Sequence, residues 1–446
     1  MLKSVLDQWE RRSRFLALAL ALATSFALVV TAYLKCGQIA PLPGSPSYSV
    51  VARGLLHGIP FQDGYRPPLY PIVLSVIYSS GLGQAAVVLF QVLLGFLCSV
   101  LLFALATRVS GRELAGLFAV ALYLSHFVLQ LELISERETA LFLFEVLLFP
   151  IVYYGRFHSE LIRYVGLGLV AGLAHLTRPT GLLLVPLLVI APFAQCGMKA
   201  SSLPKAVLHV ATGLLVFLMT VLPWQIKLYH LTGAVTVSSS TTSGMNLYKG
   251  NNPHFDELFP VVEIDDYEEY LKSEDELSDL SSSRTDEVLA ERGKGFILKF
   301  PLVTFRRMVE KSLLFLSPVP LPMASARVSR GASGQLIIED IRYRNIFLML
   351  AFGIESLFLF GGVVAFFVAR TSESSISARP LYLHMYWLLK KEPFVLGVVC
   401  FGIFLTGVHA LTFPESRFRY PLDMLLCVIA GIGYWKLFAG DRRSTD

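Results

Sequence analysis

The sequence predicts an all-α, polytopic membrane protein. Of its 446 residues, 54% are hydrophobic and only 16% are charged, whereas soluble globular domains carry about 25% charged residues. Several apolar runs approach or exceed the roughly 20 residues that a helix needs to cross a bilayer. The net charge is only +5, and the basic residues lie mostly between the apolar runs. They therefore indicate membrane topology and not a nucleic-acid surface.

Ten membrane helices are predicted from the apolar runs. They cover residues 15–35, 84–107, 112–132, 138–155, 164–177, 180–195, 206–224, 346–369, 394–411 and 418–438. The fifth and sixth are short and share the sequence LTRPTG, which indicates half-spans or strongly tilted segments. No small-residue cleavage site follows the first helix, so we interpret it as an uncleaved anchor.

Charge predicts the orientation of these helices. The N-terminal segment is basic, and so is every second loop after it. Because Lys and Arg concentrate in cytoplasmic loops, we expect both termini in the cytoplasm and a location in the plasma membrane. The chain then divides into an N-terminal membrane region (1–224) with a first outer loop (36–83), a large extracytoplasmic loop (225–345) and a C-terminal membrane region (346–446).

The large outer loop is mixed in composition. Its first part is rich in Ser, Thr, Gly and Asn, which predicts turns, and the segment 256–279 is strongly acidic but lacks the spacing of a calcium loop. The stretch RTDEVLAERGKGFILKFPLVTFRRMVEKSLLFL is typical of amphipathic helices that return to the membrane interface. The predicted outer loops are long and the predicted inner loops are short, which indicates that the functional site lies outside the cytoplasm.

Arg66 lies in the sequence DGYRPPLYPIVLSVIY of the first outer loop. The two prolines after it prevent a regular helix until after Pro68, so Arg66 is expected in an extended stretch just above the membrane, between Tyr65 and Tyr70. One interpretation is an arginine that snorkels beside a helix N-terminus. The other is a phosphate ligand, because a guanidinium matches phosphate geometry and stays charged.

Acidic residues mark the corner between the third and fourth predicted helices. Glu132, Glu136 and Glu138 lie in the sequence LELISERETALFLF, and a carboxylate at a membrane boundary is costly unless it is solvated or paired. Glu136 and Glu138 are two residues apart and face different ways on a helix. We therefore expect at most one of them in a site, and a solvated corner is the alternative.

Three further arginines lie at breaks between apolar segments on the outer side. Arg178 is followed at once by Pro179, so the helix is interrupted there, and a charge at such a break commonly lines a site. Arg417 and Arg419 lie between the last two spans, where outer arginines run against the positive-inside tendency. Together with Arg66, they are predicted to converge on one anionic group, which must belong to a lipid because it is reached at bilayer depth.

Eight motifs, taken in chain order, carry a resemblance to a known family. They are SYSVVARGLLHG, YRPPLYPIVLSVIY, SERETALFLF, GLAHLTRPTGLLLVPLL, VLPWQIKLY, GMNLYKGNNP, GFILKFPLVTFRRMVEKSLLFLSP and FPESRFRYPLDMLL. With these motifs the chain resembles, nearly end to end, the GT-C membrane glycosyltransferases that use polyprenyl-phosphate sugars. That group includes the protein O-mannosyltransferases and the bacterial aminoarabinose transferases of lipid A.

The resemblance implies a GT-C-type bundle of about ten to thirteen membrane helices, with a site on the outer face beneath the first and largest loops. It also implies transfer of a sugar from an undecaprenyl-phosphate-like donor to a hydroxyl of a lipid, glycan or protein, with inversion at the anomeric carbon. The polyprenyl phosphate is the leaving group, so cationic side chains are expected to stabilise its charge while an acid serves as general base.

Residue roles follow from the resemblance by position. Arg66 matches a basic residue near the donor phosphate, Glu138 matches the acid at the start of the fourth helix, and Arg417 and Arg419 match the basic corner before the last helix. The residues implied for the substrate pocket and its roof are Tyr48, Tyr70, Asn246, Tyr248, Asn251 and Asn252.

One departure from the family concerns the general base. In these enzymes an aspartate shortly precedes the tyrosine that opens the first-loop helix, and here Gly44 stands at that position before Tyr48. Asp63 or Glu138 would then have to serve as the base, and a divalent cation bound by either carboxylate stays open, with no other cofactor expected. Two alternatives are a non-catalytic relative that binds the lipid or assists a partner enzyme, and a transporter with discontinuous helices.

Overall fold

The structure is a computed structural model that describes residues 2–43, 47–62, 64–196, 203–260, 271, 277, 280–331, 335–372 and 392–439. Its N-terminal part contains α1 (Leu2–Cys36), α2 (Ser47–Leu56), α3 (Leu69–Ser79), α4 (Gly83–Ser110), α5 (Glu113–Ser125), α6 (Phe127–Leu133), α7 (Thr139–Tyr154), α8 (Glu160–Thr177), α9 (Leu184–Cys196) and α10 (Leu203–Thr232). The C-terminal part contains α11 (Ser243–Gly250), α12 (Phe255–Leu258), α13 (Ser282–Lys299), α14 (Pro301–Leu316), β1 (Ala324–Arg330), β2 (Leu336–Tyr343), α15 (Ile346–Ser372), α16 (Pro393–Leu411) and α17 (Ser416–Ala439).

Within the described ranges, six helices are long and apolar enough to cross a membrane: most of α1, then α4, α10, most of α15, α16 and α17. The pair α5 and α6 makes a seventh if it counts as one span, since the two meet at a bend of 73°. The chain is therefore a multi-pass membrane protein, but the predicted count of ten spans is not confirmed. The segments predicted at 138–155 and 180–195 form shorter apolar helices. At 1.5 Å per residue, the 16 residues of α7 reach about 24 Å, less than the bilayer core of about 30 Å.

Burial separates a central helix from peripheral ones. In α17, 61% of the apolar span is buried inside the protein, whereas in α1, α10 and α15 the buried share is 22%. α17 packs against α15 and α5. The peripheral helices expose long rows of Leu, Val and Phe side chains, which is the surface expected of helices that face lipid.

Between α10 and α15 the described chain contains the helices α11 to α14 and an antiparallel hairpin of β1 and β2, whose register pairs Ala324 with Tyr343. Its helix α14 is amphipathic with the apolar side outward. The buried side carries Thr304, Arg307 and Lys311, while the exposed side carries Leu302, Phe305, Val309, Leu313 and Leu316. α14 packs against the span α16, so its apolar stripe lies beside a helix that is long and apolar enough to cross the membrane. Contact between this stripe and the membrane interface stays a prediction.

Candidate functional site

The loop between α1 and α4, which is predicted to be the first outer loop, places Arg66 against two tyrosines. Its guanidinium carbon lies 4.7 Å from the ring centre of Tyr48 and 4.8 Å from that of Tyr65, and its Nε donates to the Ser47 hydroxyl at 2.8 Å. Gly64 lets this segment lie directly on α10, because a Cβ there would be 2.3 Å from a methyl carbon of that helix. Arg66 is thus held between α2 and the start of α3.

The corner between α6 and α7 brings Glu138 to the same place. Leu42 of the first loop pairs with this corner like a short parallel strand, since its N–H donates to the Ile134 carbonyl and its carbonyl accepts from the Glu136 N–H, both at 2.9 Å. Gln91 of α4 donates to another carbonyl oxygen of the corner at 2.7 Å. These bonds fix the residue that immediately precedes α7, which is Glu138.

Arg178 occupies the break predicted after α8. Pro179 follows it, which disfavours helical backbone at Arg178, and the residue is extended with φ −150° and ψ 135°. A 3-10 turn then leads into α9. Arg178 Nη2 lies 3.0 Å from Glu138 Oε1, and the guanidinium lies 5.4 Å from the ring centre of Phe142 and 5.2 Å from that of Phe418. The break therefore aims a cation at the corner carboxylate.

Electrostatics decides the protonation of this cluster. Burial alone would raise the pKa of the Glu138 carboxyl, but Arg178 and Arg66 outweigh burial and hold that pKa below its ordinary value. The Tyr48 hydroxyl bonds to the same carboxylate, and burial together with the charge of Glu138 raises the pKa of Tyr48 well above its ordinary value. Glu138 is therefore ionised, and the neutral Tyr48 hydroxyl donates to it.

The roof over this cluster is formed by α11 and is held by buried cations of α14. Lys311 Nζ donates to the Gly250 carbonyl at 3.2 Å and to the Thr412 carbonyl at 2.7 Å. Arg307 donates to the Asn252 carbonyl at 2.8 Å. Burial lowers the pKa of Lys311 to about 7. The polar side of α14 thus ties the loop motif GMNLYKGNNP to the end of α16.

These pieces surround a cavity of about 480 Å³, a size typical of small-ligand sites. Among the described residues, its lining includes five cationic side chains and one carboxylate, that of Glu138, so it suits an anionic ligand. The polar and aromatic lining residues include Tyr48, Tyr65, Arg66, Arg137, Glu138, Thr177, Arg178, Thr180, Ser240, Asn246, Lys249, His409, Arg417 and Phe418.

Comparison with known proteins indicates which enzymes the chain that forms this cavity is similar to. The model of the dolichyl-phosphate-mannose-protein mannosyltransferase family matches residues 65–224, which include Arg66, Glu138 and Arg178. Among solved structures, the archaeal oligosaccharyltransferase AglB from Archaeoglobus fulgidus, in complex with an inhibitory peptide and a dolichol-phosphate, is similar over 97% of this chain, with 14% identity and a TM-score of 0.51. The resemblance to the GT-C glycosyltransferases is confirmed.

The limits of these matches are specific. At 14% identity, the likeness to AglB concerns the fold alone, and the present chain spans 51% of the AglB chain, about half its length. No curated protein matches the sequence. The GT-C family match ends at residue 224, so it does not include the roof or the corner that contains Arg417.

Several residues predicted for the site lie away from the cavity lining. Arg419 is buried beneath the corner, where its Nε donates to Asp423 at 2.9 Å and its Nη1 donates to the Ser317 carbonyl at 2.6 Å. Asn251 is also buried, and its Nδ2 donates to the Leu411 carbonyl at 2.6 Å. Both residues join elements to one another, in contrast to Arg417, whose side chain reaches the lining.

The remaining predicted pocket residues lie outside the cavity lining and pack against residues that line it. Tyr70 is buried, packs edge-on against Tyr48 at 5.2 Å and accepts a hydrogen bond from a glutamine of α4. Tyr248 packs against the small core beneath the roof, and Asn252 donates to its carbonyl at 2.9 Å. Asp63 lies outside the described residues, as does residue 44. Within the described part of the chain, no group of three or more His, Cys, Asp or Glu side chains could hold a metal ion.

The sequence did not predict most of the lining residues, among them Lys249, Arg137, Thr177 and His409. Lys249 and Arg137 stand inside the motifs GMNLYKGNNP and SERETALFLF, so their charges were visible signals. Lys249 is only 3% exposed, with its Nζ 5.5 Å from the ring centre of Phe413. Thr177 and His409 end long apolar helices, and nothing in their local sequence separates them from ordinary helix ends.

Proposed function

We propose that the protein transfers a sugar from a polyprenyl-phosphate donor to an acceptor hydroxyl on the extracytoplasmic face, with inversion at the anomeric carbon. The observation that carries this proposal is the cavity that gathers Arg66, Arg178 and Arg417 around Glu138. The acceptor is a lipid, glycan or protein that reaches the outer face of the plasma membrane, with both termini of the chain in the cytoplasm.

The arginines account for the leaving group. When the bond between the anomeric carbon and the phosphate oxygen breaks, negative charge grows on the phosphate, and guanidinium groups already in place stabilise it without reorganisation. Arg66 and Arg178 are fixed by their neighbours before any ligand arrives, since aromatic rings flank both guanidiniums. The aromatic residues thus preorganise the phosphate site.

Glu138 is our first choice for the general base. It is ionised and lines the cavity, so it can accept a proton from an acceptor hydroxyl bound there. Its pairing with Arg178 makes it a weak base until the donor phosphate competes for that arginine. Asp63 in the first loop is the second choice, and a divalent cation held by either carboxylate stays compatible with both.

A second function has one observation in its favour. The Glu138 carboxylate bonds to both Arg178 and Tyr48, and a carboxylate held in this way can be purely structural. The protein would then bind a polyprenyl-phosphate lipid, or assist a partner enzyme, without transferring a sugar. Turnover by the purified chain separates these two proposals.

The test uses the full chain in liposomes with an undecaprenyl-phosphate-linked radiolabelled sugar and hydroxyl acceptors of the lipid, glycan and peptide classes, and follows release of undecaprenyl phosphate together with its binding. We expect Arg66→Gln to weaken binding at least tenfold, because a charge-assisted hydrogen bond is worth about 1.5–3 kcal/mol. Arg53→Gln is the matched control, since Arg53 lies in the same loop but is exposed and outside the cavity lining. Equal binding by both variants would refute the proposed phosphate site. Binding without turnover would favour the lipid-binding alternative.

A further inference from the structure

A buried carboxyl that the proposed mechanism does not use lies behind the cavity. Glu145 is on α7, two helical turns after Glu138, and only 4% of it is exposed. Its Oε1 lies 3.0 Å from the hydroxyl of Thr177. Its Oε2 is buried and has no hydrogen-bond partner among the described residues.

The surroundings of Glu145 indicate a neutral acid. Among the described residues no basic side chain forms an ion pair with it, and its helix is almost wholly apolar. An ionised carboxylate in that setting is very costly. The number of hydrogen-bonding protons also indicates a neutral acid. Thr177 has a single hydroxyl proton, but two oxygens lie within hydrogen-bond distance of its hydroxyl: Glu145 Oε1 and, at 3.1 Å, the Leu173 carbonyl oxygen. A neutral Glu145 removes the conflict: its O–H donates to Thr177, and Thr177 donates to Leu173.

Thr177 connects this buried acid to the cavity. It is the last residue of α8 and lines the cavity, and the next residue is Arg178, which turns out of the helix towards Glu138. The direction of Arg178 depends on where α8 stops. A bond that fixes the Thr177 side chain therefore fixes the start of the break.

We propose that Glu145, as a neutral acid, is a positioning residue: it holds Thr177 and through it aims Arg178 at Glu138 and the donor phosphate. This inference rests on the proposed function, because the phosphate is the ligand whose affinity should respond. It explains why an acid that forms no ion pair stands in an apolar helix, where leucine would be better for stability.

The test measures undecaprenyl phosphate binding and the melting temperature of the full chain in detergent. We expect Glu145→Leu and Thr177→Val each to weaken binding about three- to tenfold, the range of one ordinary hydrogen bond. The melting temperature of Glu145→Leu should stay level or rise, because a buried polar group is removed. Glu145→Gln should bind within about twofold of the parent, since its amide N–H₂ replaces the acid O–H as donor. The double variant should bind no worse than either single one.

Thr220→Val is the matched control, because Thr220 makes the same hydroxyl bond to a carbonyl four residues back but lies outside the cavity lining. Parent-like binding by Glu145→Leu, or equal weakening by Glu145→Gln and Glu145→Leu, would overturn the inference. If Arg66→Gln also left binding unchanged, the proposed phosphate site would fail as well. If Arg66→Gln alone weakened binding, only the role of Glu145 would fall.

Discussion

Replacing Glu138 by glutamine separates binding from chemistry. The substitution keeps the size of the side chain and an oxygen for Arg178, but it removes the negative charge 3.0 Å from Nη2. At an effective dielectric constant of about 20, two unit charges at 3.0 Å attract by about 5.5 kcal/mol. Most of that attraction offsets the cost of burying both ions, and losing one partner of a buried pair typically costs about 3–5 kcal/mol. The retained hydrogen bond should keep the loss of stability below about 3 kcal/mol.

The effects on ligand binding and on turnover should have opposite signs. Without the carboxylate, Arg178 and Arg66 keep their full charge for the phosphate, so undecaprenyl phosphate should bind Glu138→Gln as tightly as the parent or more tightly. Turnover should fall about 10²- to 10⁴-fold, the range expected when a general base is lost. The assay compares binding with release of undecaprenyl phosphate from the labelled donor in liposomes.

Two results would refute this reasoning. Parent-like turnover by Glu138→Gln would exclude Glu138 as the base and direct the same experiment to Asp63→Asn. Weaker binding by a variant that still folds would show that Glu138 helps to hold the lipid and does not compete with it. Arg53→Gln again serves as the control outside the cavity lining.

Three further predictions concern the roof and the membrane. Lys311 has a pKa of about 7 in the fold against about 10.4 in an unfolded chain, so between these values the folded protein binds fewer protons. The difference in melting temperature between the parent and Lys311→Met should therefore change in favour of the parent as the pH rises from about 7 to 10. A difference that does not change with pH would contradict the lowered pKa of Lys311. Gly250→Ala should lower the melting temperature, because a Cβ there would lie 1.6 Å from the Thr412 carbonyl oxygen, whereas Gly295→Ala, with open space around it, should raise it slightly. Phe305→Trp on the exposed side of α14 should add fluorescence that brominated lipids quench, whereas Phe315→Trp on the buried side should not; equal quenching would contradict the proposed lipid contact.

The membrane part of the fold could be predicted where long apolar runs stand alone. The runs at 84–107 and 394–411 correspond to α4 and α16 within a few residues. The run at 112–132 was predicted as one span, but the chain bends by 73° between α5 and α6. At the bend, the freed N–H of Phe127 donates to Glu355 of α15 at 2.7 Å. Since Glu355 is distant in sequence, no local pattern could have indicated this compensation.

The charge pattern alone predicts both Arg417 and Arg419 at the phosphate site, and a second feature of the sequence distinguishes them. Two residues apart on one helix, they point in different directions, which is the same reasoning that allowed only one of Glu136 and Glu138 into a site. Asp423 stands four residues after Arg419, at the spacing that pairs side chains along a helix, and the two meet at 2.9 Å. Arg417 has no acid at that spacing in the sequence; it pairs instead with Glu415, two residues before it, and its side chain reaches the cavity lining. The i, i+4 acid is therefore the sequence signal that separates the arginine that holds the fold together from the arginine at the cavity.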